Sequence, residues 1–159
     1  VRDGQDKNFS DAQIVKTVRA IQDAGMNVIA NYMVGLEGDT LESMQRTLDL
    51  ALELRTEWAN MYPTMVYPGS RLYAEAVRKG VPLSDNWASY APLGYECIPF
   101  APDGLTPAEV LRFRDMAFLR YFGDPEYLAM MQAKFGQAAV ADILAMVAAG
   151  PPKRKILGH

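Results

Sequence analysis

The densest group of special residues is Gly35-Leu36-Glu37-Gly38-Asp39-Thr40. Its two glycines fall between an apolar run and a helix-start signal. That is where α/β folds hold ligands, at the carboxyl end of a buried strand with a helix N-terminus just beyond. The Gly-Lys-Ser/Thr ending of a Walker loop is missing, as is the third glycine of a dinucleotide fingerprint. The segment therefore reads either as a plain tight turn or as a ligand-facing one, and Glu37 as its charge, turned either to solvent or to a ligand. Metal and nucleophile chemistry are thinly supplied, because the chain has one cysteine, Cys97, and one histidine, His159. They can form neither a zinc nor an iron–sulfur ligand set, and they leave Cys–His or Ser–His catalysis almost unsupported. Cys97 has no basic neighbour and reads as a small apolar filler. The stretch Asp3-Gly4-Gln5-Asp6-Lys7-Asn8 hints at a calcium loop but lacks the glutamate at its twelfth position, which leaves a polar coil.

The elements that must position these residues belong to a chain of 159 residues, 50% hydrophobic and 22% charged. This describes one domain or a large piece of one, able to bury a core without disulfide or metal. With no internal disulfide possible, no signal-peptide layout in the first ten residues and no long apolar run, a soluble cytoplasmic protein is expected. The formal charge of −3 gives no general attraction to nucleic acid or to an anionic membrane. The charge is uneven: residues 1–105 hold 9 Lys+Arg against 14 Asp+Glu, and residues 106–159 hold 7 against 5. Lys153, Arg154 and Lys155 make up much of the second figure, as a solvated tail or as a contact for an anionic partner.

Ser10-Asp11-Ala12-Gln13 matches a capping box, and Ile14, Val18 and Ile21 continue it as one helical face up to Gly25. Residues 26–34 form an apolar run broken only by Asn27 and Asn31, which fits a parallel strand covered on both faces better than an amphipathic edge strand. Asp39 and Glu42 suggest a second capping box, for a helix from Leu41 to Leu54 with Leu41, Met44, Leu48, Ala51 and Leu52 inward. Residues 58–67 read as a second buried strand, with Pro63 at a bulge or an unpaired edge. A helix over 71–79 follows, closed by Gly80. Residues 81–105 show no period but carry Trp87, Tyr90, Tyr95, Phe100 and four prolines, either as a structural wrap or as part of a site. Thr106-Pro107-Ala108-Glu109 opens another helix with Val110, Phe113, Ala117, Phe118 and Tyr121 inward, ended by Gly123. Two more helices run from Asp124-Pro125 to about Phe135 and from Gln137 to Ala149. Strands separated by crossover helices make the N-terminal half α/β.

Read together, the stretch from Asn27 through Asn31 to Thr40, then Leu41-Glu42-Ser43-Met44, then Tyr67-Pro68-Gly69-Ser70 followed by Leu72-Tyr73, resembles the last part of a radical S-adenosylmethionine (SAM) enzyme. The resemblance is strongest to the group with an N-terminal cobalamin-binding domain, and it covers residues 10–80. It implies an α/β fold made of the last two βα units of a partial (β/α)6 barrel over residues 1–80. A connecting segment, 81–105, and an all-helical C-terminal extension, 106–159, would follow. It also implies that Asn31, Gly35, Leu36 and Glu37, with Tyr67, Pro68 and Gly69 at the neighbouring strand end, lie nearest the adenine of SAM. Glu37 stands where the family commonly has proline.

The family's Cys-x-x-x-Cys-x-x-Cys motif is absent, and the resemblance therefore implies a C-terminal fragment that begins near the end of the fourth barrel strand. No catalytic or metal-ligating residue is assigned within it. The parent protein would hold a [4Fe–4S] cluster, SAM and, in this group, cobalamin, and would cleave SAM to start radical chemistry. The fragment alone would bind no cofactor and be inert. Its partners would be the missing N-terminal part of the same protein and a second copy of the chain, paired through exposed strand edges. Neither nucleic acid nor a membrane is expected. The alternatives are an α/β and helical assembly module without catalysis, and an independent enzyme acting on a phosphorylated ligand at the 35–40 loop.

Overall fold

The computed structural model describes residues 9–158; the Asp3 to Asn8 coil and His159 lie outside them. The described residues form six α-helices and one two-stranded sheet: α1 (Asp11–Asp23), β1 (Ile29–Val34), α2 (Leu41–Leu54), β2 (Trp58–Pro63), α3 (Arg71–Arg78), α4 (Pro107–Phe122), α5 (Pro125–Phe135) and α6 (Gln137–Ala149). Local chemistry accounts for most of the boundaries. Ser10 and Gln13 close the expected capping box of α1, and Thr106 and Glu109 that of α4. In α2 the cap lies one residue later than expected. Thr40 and Ser43 form the box, while Asp39 accepts from the Leu36 N–H and from Ser43 Oγ.

β1 and β2 pair in parallel, with Ile29 opposite Trp58, Asn31 opposite Asn60 and Val34 opposite Pro63. The Thr64 N–H donates to Val34 O at 2.9 Å. Peptide groups alternate sides along a strand, so the absent N–H of Pro63 falls on the outer edge of β2 and costs the ladder nothing. One face of the sheet, with Tyr32, Val34, Ala59 and Met61, is buried under α2 and α4 in the main core, which continues through Tyr121, Phe122, Tyr127 and Ile143. Residues from Tyr32 to Met61 and from Val110 to Ile143 therefore share one core.

The barrel architecture implied by the resemblance is overturned. The described residues form a mostly helical molecule of mixed α/β class, whose parallel sheet has two strands. The reason lies in β2. It stops at Pro63, four residues short of the expected end, where Thr64 O accepts the Phe100 N–H at 2.8 Å and the chain turns out of the sheet. A βα unit needs the helix after a strand to pack back along it. Here α3 buries only Ala76, and α4 is the helix that lies along β2. The expected cover on both faces of the first strand is also missing. Among the described residues the second face stays open, with Ile29 65% and Met33 46% exposed.

Candidate functional site

The carboxyl ends of the two strands carry most of the residues singled out by sequence, and the structure sorts them into committed and open ones. Gly35 is committed. Its φ is +76°, and a Cβ there would meet Val110 Cγ1 at 2.8 Å and Phe100 O at 3.3 Å. The close approach that requires glycine is thus to α4 and the 81–105 segment. The Leu36 N–H is committed as well, donating to Asp39 Oδ2 at 2.9 Å. Gly38 shares a positive φ, +81°, but has open space beside it. Glu37 is exposed and lies 3.9 Å from Lys79 Nζ.

Asn31 lies on the open face of the sheet and takes part in a run of side-chain hydrogen bonds. Trp58 Nε1 donates to Asn60 Oδ1 at 3.1 Å, and Asn60 Nδ2 donates to Asn31 Oδ1 at 2.9 Å. Met33 and Tyr62, opposite each other in the register, come next to these amides on the same exposed face, toward the carboxyl ends of the strands. Beyond β2, Tyr67, Pro68 and Gly69 make an exposed turn. The Ser70 N–H donates to Tyr67 O at 3.0 Å, and Gly69 has φ +85°, with proline and glycine at the two central positions of a type II turn.

Sequence reasoning missed the charged groups buried behind this surface. Arg114 donates from Nε to Met61 O at 2.8 Å, meeting a carbonyl on the outer edge of β2, and from Nη1 to Asp115 Oδ1 at 2.9 Å. Glu57 accepts from the Val28 N–H and from Lys134 of α5. Burial alone would raise the pKa of Glu57, but these hydrogen bonds hold it below the ordinary carboxylate value. Tyr121 donates to Thr56 O at 2.6 Å and Tyr127 to Glu57 O at 3.1 Å, and burial pushes the Tyr127 phenol up to about 12.

The tail is the largest departure from expectation. Lys153 is exposed and Lys155 pairs with Glu96, but Arg154 is fully buried and donates from Nη1 to Pro92 O at 2.8 Å and Gly94 O at 3.2 Å. No pattern of neighbouring residues marks Arg154; the short charged run around it signals solvent. Cys97 is a buried filler as expected, its thiol pushed up by burial.

The donor set does not fit an iron–sulfur cluster. Cys97 stands alone, and the described residues contain no group of three His, Cys, Asp or Glu side chains placed to hold a metal ion. No helix among them is long and apolar enough to cross a membrane.

No family model matches the sequence. Over 84 residues, 53% of this chain, it is 25% identical to a protein of Pyrococcus horikoshii named as an uncharacterized methyltransferase. The match spans 18% of that protein's length, so this chain corresponds to a small part of it.

Proposed function

We propose that this chain works as part of a longer SAM-dependent enzyme of the radical type, in which the open sheet face forms one wall of the cofactor chamber. The observation that carries the reading is that face itself. An ordered pair of amides, Asn31 and Asn60, lies at mid-strand, and the apolar side chains of Met33 and Tyr62 follow it on the same face toward the carboxyl ends of the parallel strands. Amides next to a thioether and a ring suit a purine, which needs both edge hydrogen bonds and a flat apolar contact. On this reading Asn31 is the group that meets adenine, with Tyr67, Pro68 and Gly69 as a neighbouring rim. Gly35 and Leu36 support the wall from behind, since their backbones already serve α4 and Asp39.

SAM, when bound and reduced, supplies the radical. The thiolates for the cluster come from the remainder of the longer protein, because Cys97 does not fit that role. The name carried by the Pyrococcus relative makes methyl transfer the first reaction class to test. A second copy of the chain seated on the open face is the competing occupant.

The deciding experiment is anaerobic reconstitution of the longer protein, with measurement of bound iron and sulfide and of 5′-deoxyadenosine formed from SAM. Cluster-dependent 5′-deoxyadenosine that falls at least tenfold in Asn31→Ala is expected. A longer protein that binds neither iron nor SAM would overturn the reading. A stable dimer of the present chain, broken by Met33→Asp, would favour the second copy.

A further inference from the structure

A cleft of about 440 Å³ lies between the 37–39 turn, α3 and the 81–103 segment, and no residue of the open sheet face lines it. Its volume is in the range of small-molecule sites, roughly 300–1,000 Å³. The walls are largely apolar and include Val66, Leu72, Ala76, Leu83, Ile98 and Phe100. Polar groups in the walls are already in use. Tyr90 donates to Ser84 O at 3.0 Å, Ser89 Oγ donates to Asn86 O at 2.6 Å, and the Asp39 carboxylate serves Leu36 and Ser43. An uncharged polar ligand would find few free partners inside.

The 81–103 wall is also held in shape from behind. The Ile98 N–H donates to Ser89 O at 3.0 Å, Arg154 grips Pro92 O and Gly94 O, and the Lys155 N–H donates to Tyr95 O at 2.9 Å. The cleft is therefore formed before any ligand arrives, which lowers the ordering cost of binding.

Ionic groups gather at the rim and are unbalanced. Glu37, Glu75 and Asp103 line the cleft together with Lys79, and since Arg71 pairs with Glu75, the carboxylates of Glu37 and Asp103 are set against the one ammonium of Lys79. Glu75 accepts from Arg71 at 2.8 Å, whereas Lys79 stands 3.9 Å from Glu37, beyond hydrogen-bond distance, with both side chains 60% exposed. This pair gains little and is easily exchanged.

We infer that the cleft binds a small organic cation, an apolar body carrying one ammonium group, with Glu37 receiving the cation at the rim. The inference is independent of the SAM reading, with which it shares only Glu37. Its test uses probes without adenosine, so the two can fail separately.

The experiment is titration of the 159-residue chain with hexylammonium, hexanol and hexanoate, followed by amide chemical shifts. Hexylammonium is expected to bind saturably, shifting Glu37, Lys79, Leu83 and Phe100, with hexanol about fivefold and hexanoate at least tenfold weaker. Glu37→Gln, at an exposed position, should weaken hexylammonium about fivefold and leave hexanol unchanged; Lys79→Gln should tighten hexylammonium. Absence of saturable binding, equal binding of the three probes, or shifts confined to Asn31, Met33 and Tyr62 would each overturn the inference.

Discussion

The two faces of the β1–β2 sheet both carry a methionine and a tyrosine, but they end in opposite environments. Met61 and Met33 sit on neighbouring parallel strands, yet Met61 is 2% and Met33 46% exposed. On the closed side α2 and α4 supply a packed core, and Arg114, Tyr121 and Tyr127 supply donors to carbonyls in and just before β2. On the open side Trp58 leans against Phe122 at one end, and the rest of the face presents amides and apolar side chains without a covering element among the described residues. Residue type alone does not decide burial in a strand. What decides it is whether another element with free donors and a matching apolar stripe reaches that face.

The largest expected effect tests this contrast directly. Met61→Ala should cost about 2–5 kcal/mol in urea unfolding, through lost transfer free energy and a cavity beneath α4. Met33→Ala should change stability by no more than about 0.5 kcal/mol. Equal losses at the two positions would break the comparison, because they would mean that the open face is covered in solution.

Within the 35–40 turn the same contrast appears between two glycines of like conformation. Gly35→Ala combines a left-handed backbone with overpacking against Val110, and should cost about 2–4 kcal/mol by thermal or urea unfolding. Gly38→Ala carries the backbone penalty alone, about 1 kcal/mol, since its neighbourhood is open. Matching losses would show that the contact of the turn with α4 is not made.

Arg154→Met takes the donor from the Pro92 and Gly94 carbonyls and should cost about 1–3 kcal/mol, whereas Lys153→Met, at an exposed neighbour, should be silent. Faster amide exchange across 92–97 in Arg154→Met alone would locate the effect in the wall that the tail supports.

The smallest effect concerns acid. Glu57 has a folded pKa below its unfolded value of about 4.3, so its contribution is present above that pH and is lost as pH falls through the depressed folded value. Lys134→Met removes a group that lowers this pKa. It should cost about 1–2 kcal/mol near neutral pH, allowing for the partial exposure of Lys134, and should move the onset of acid unfolding to higher pH. An unchanged acid limb in the variant would show that Glu57 is not held by this pair.

Sequence by itself determined the elements whose causes are local. Ser10 and Thr106 set helix starts through hydrogen bonds spanning three residues, Pro107 through its fixed φ, Gly25 and Gly80 adopt the positive φ expected at helix ends, and α2 runs from Leu41 to Leu54 as expected, although Leu41 itself is exposed and not inward. It also placed Glu37 and the turn of Tyr67 to Gly69 beyond the carboxyl ends of strands, whereas Asn31 lies at the middle of β1. Only the tertiary structure decided which of them stay open, because that depends on partners far along the chain. Val110 and Phe100 fill the space beside Gly35, Asn60 takes the Asn31 carbonyl, and α4 instead of α3 covers β2. Burial of Arg154 was decided in the same way. A charged side chain leaves water only where hydrogen-bond acceptors and an opposite charge await it, here the carbonyls of Pro92 and Gly94, about sixty residues earlier in the chain, and the buried carboxylate of Asp115 at 3.7 Å.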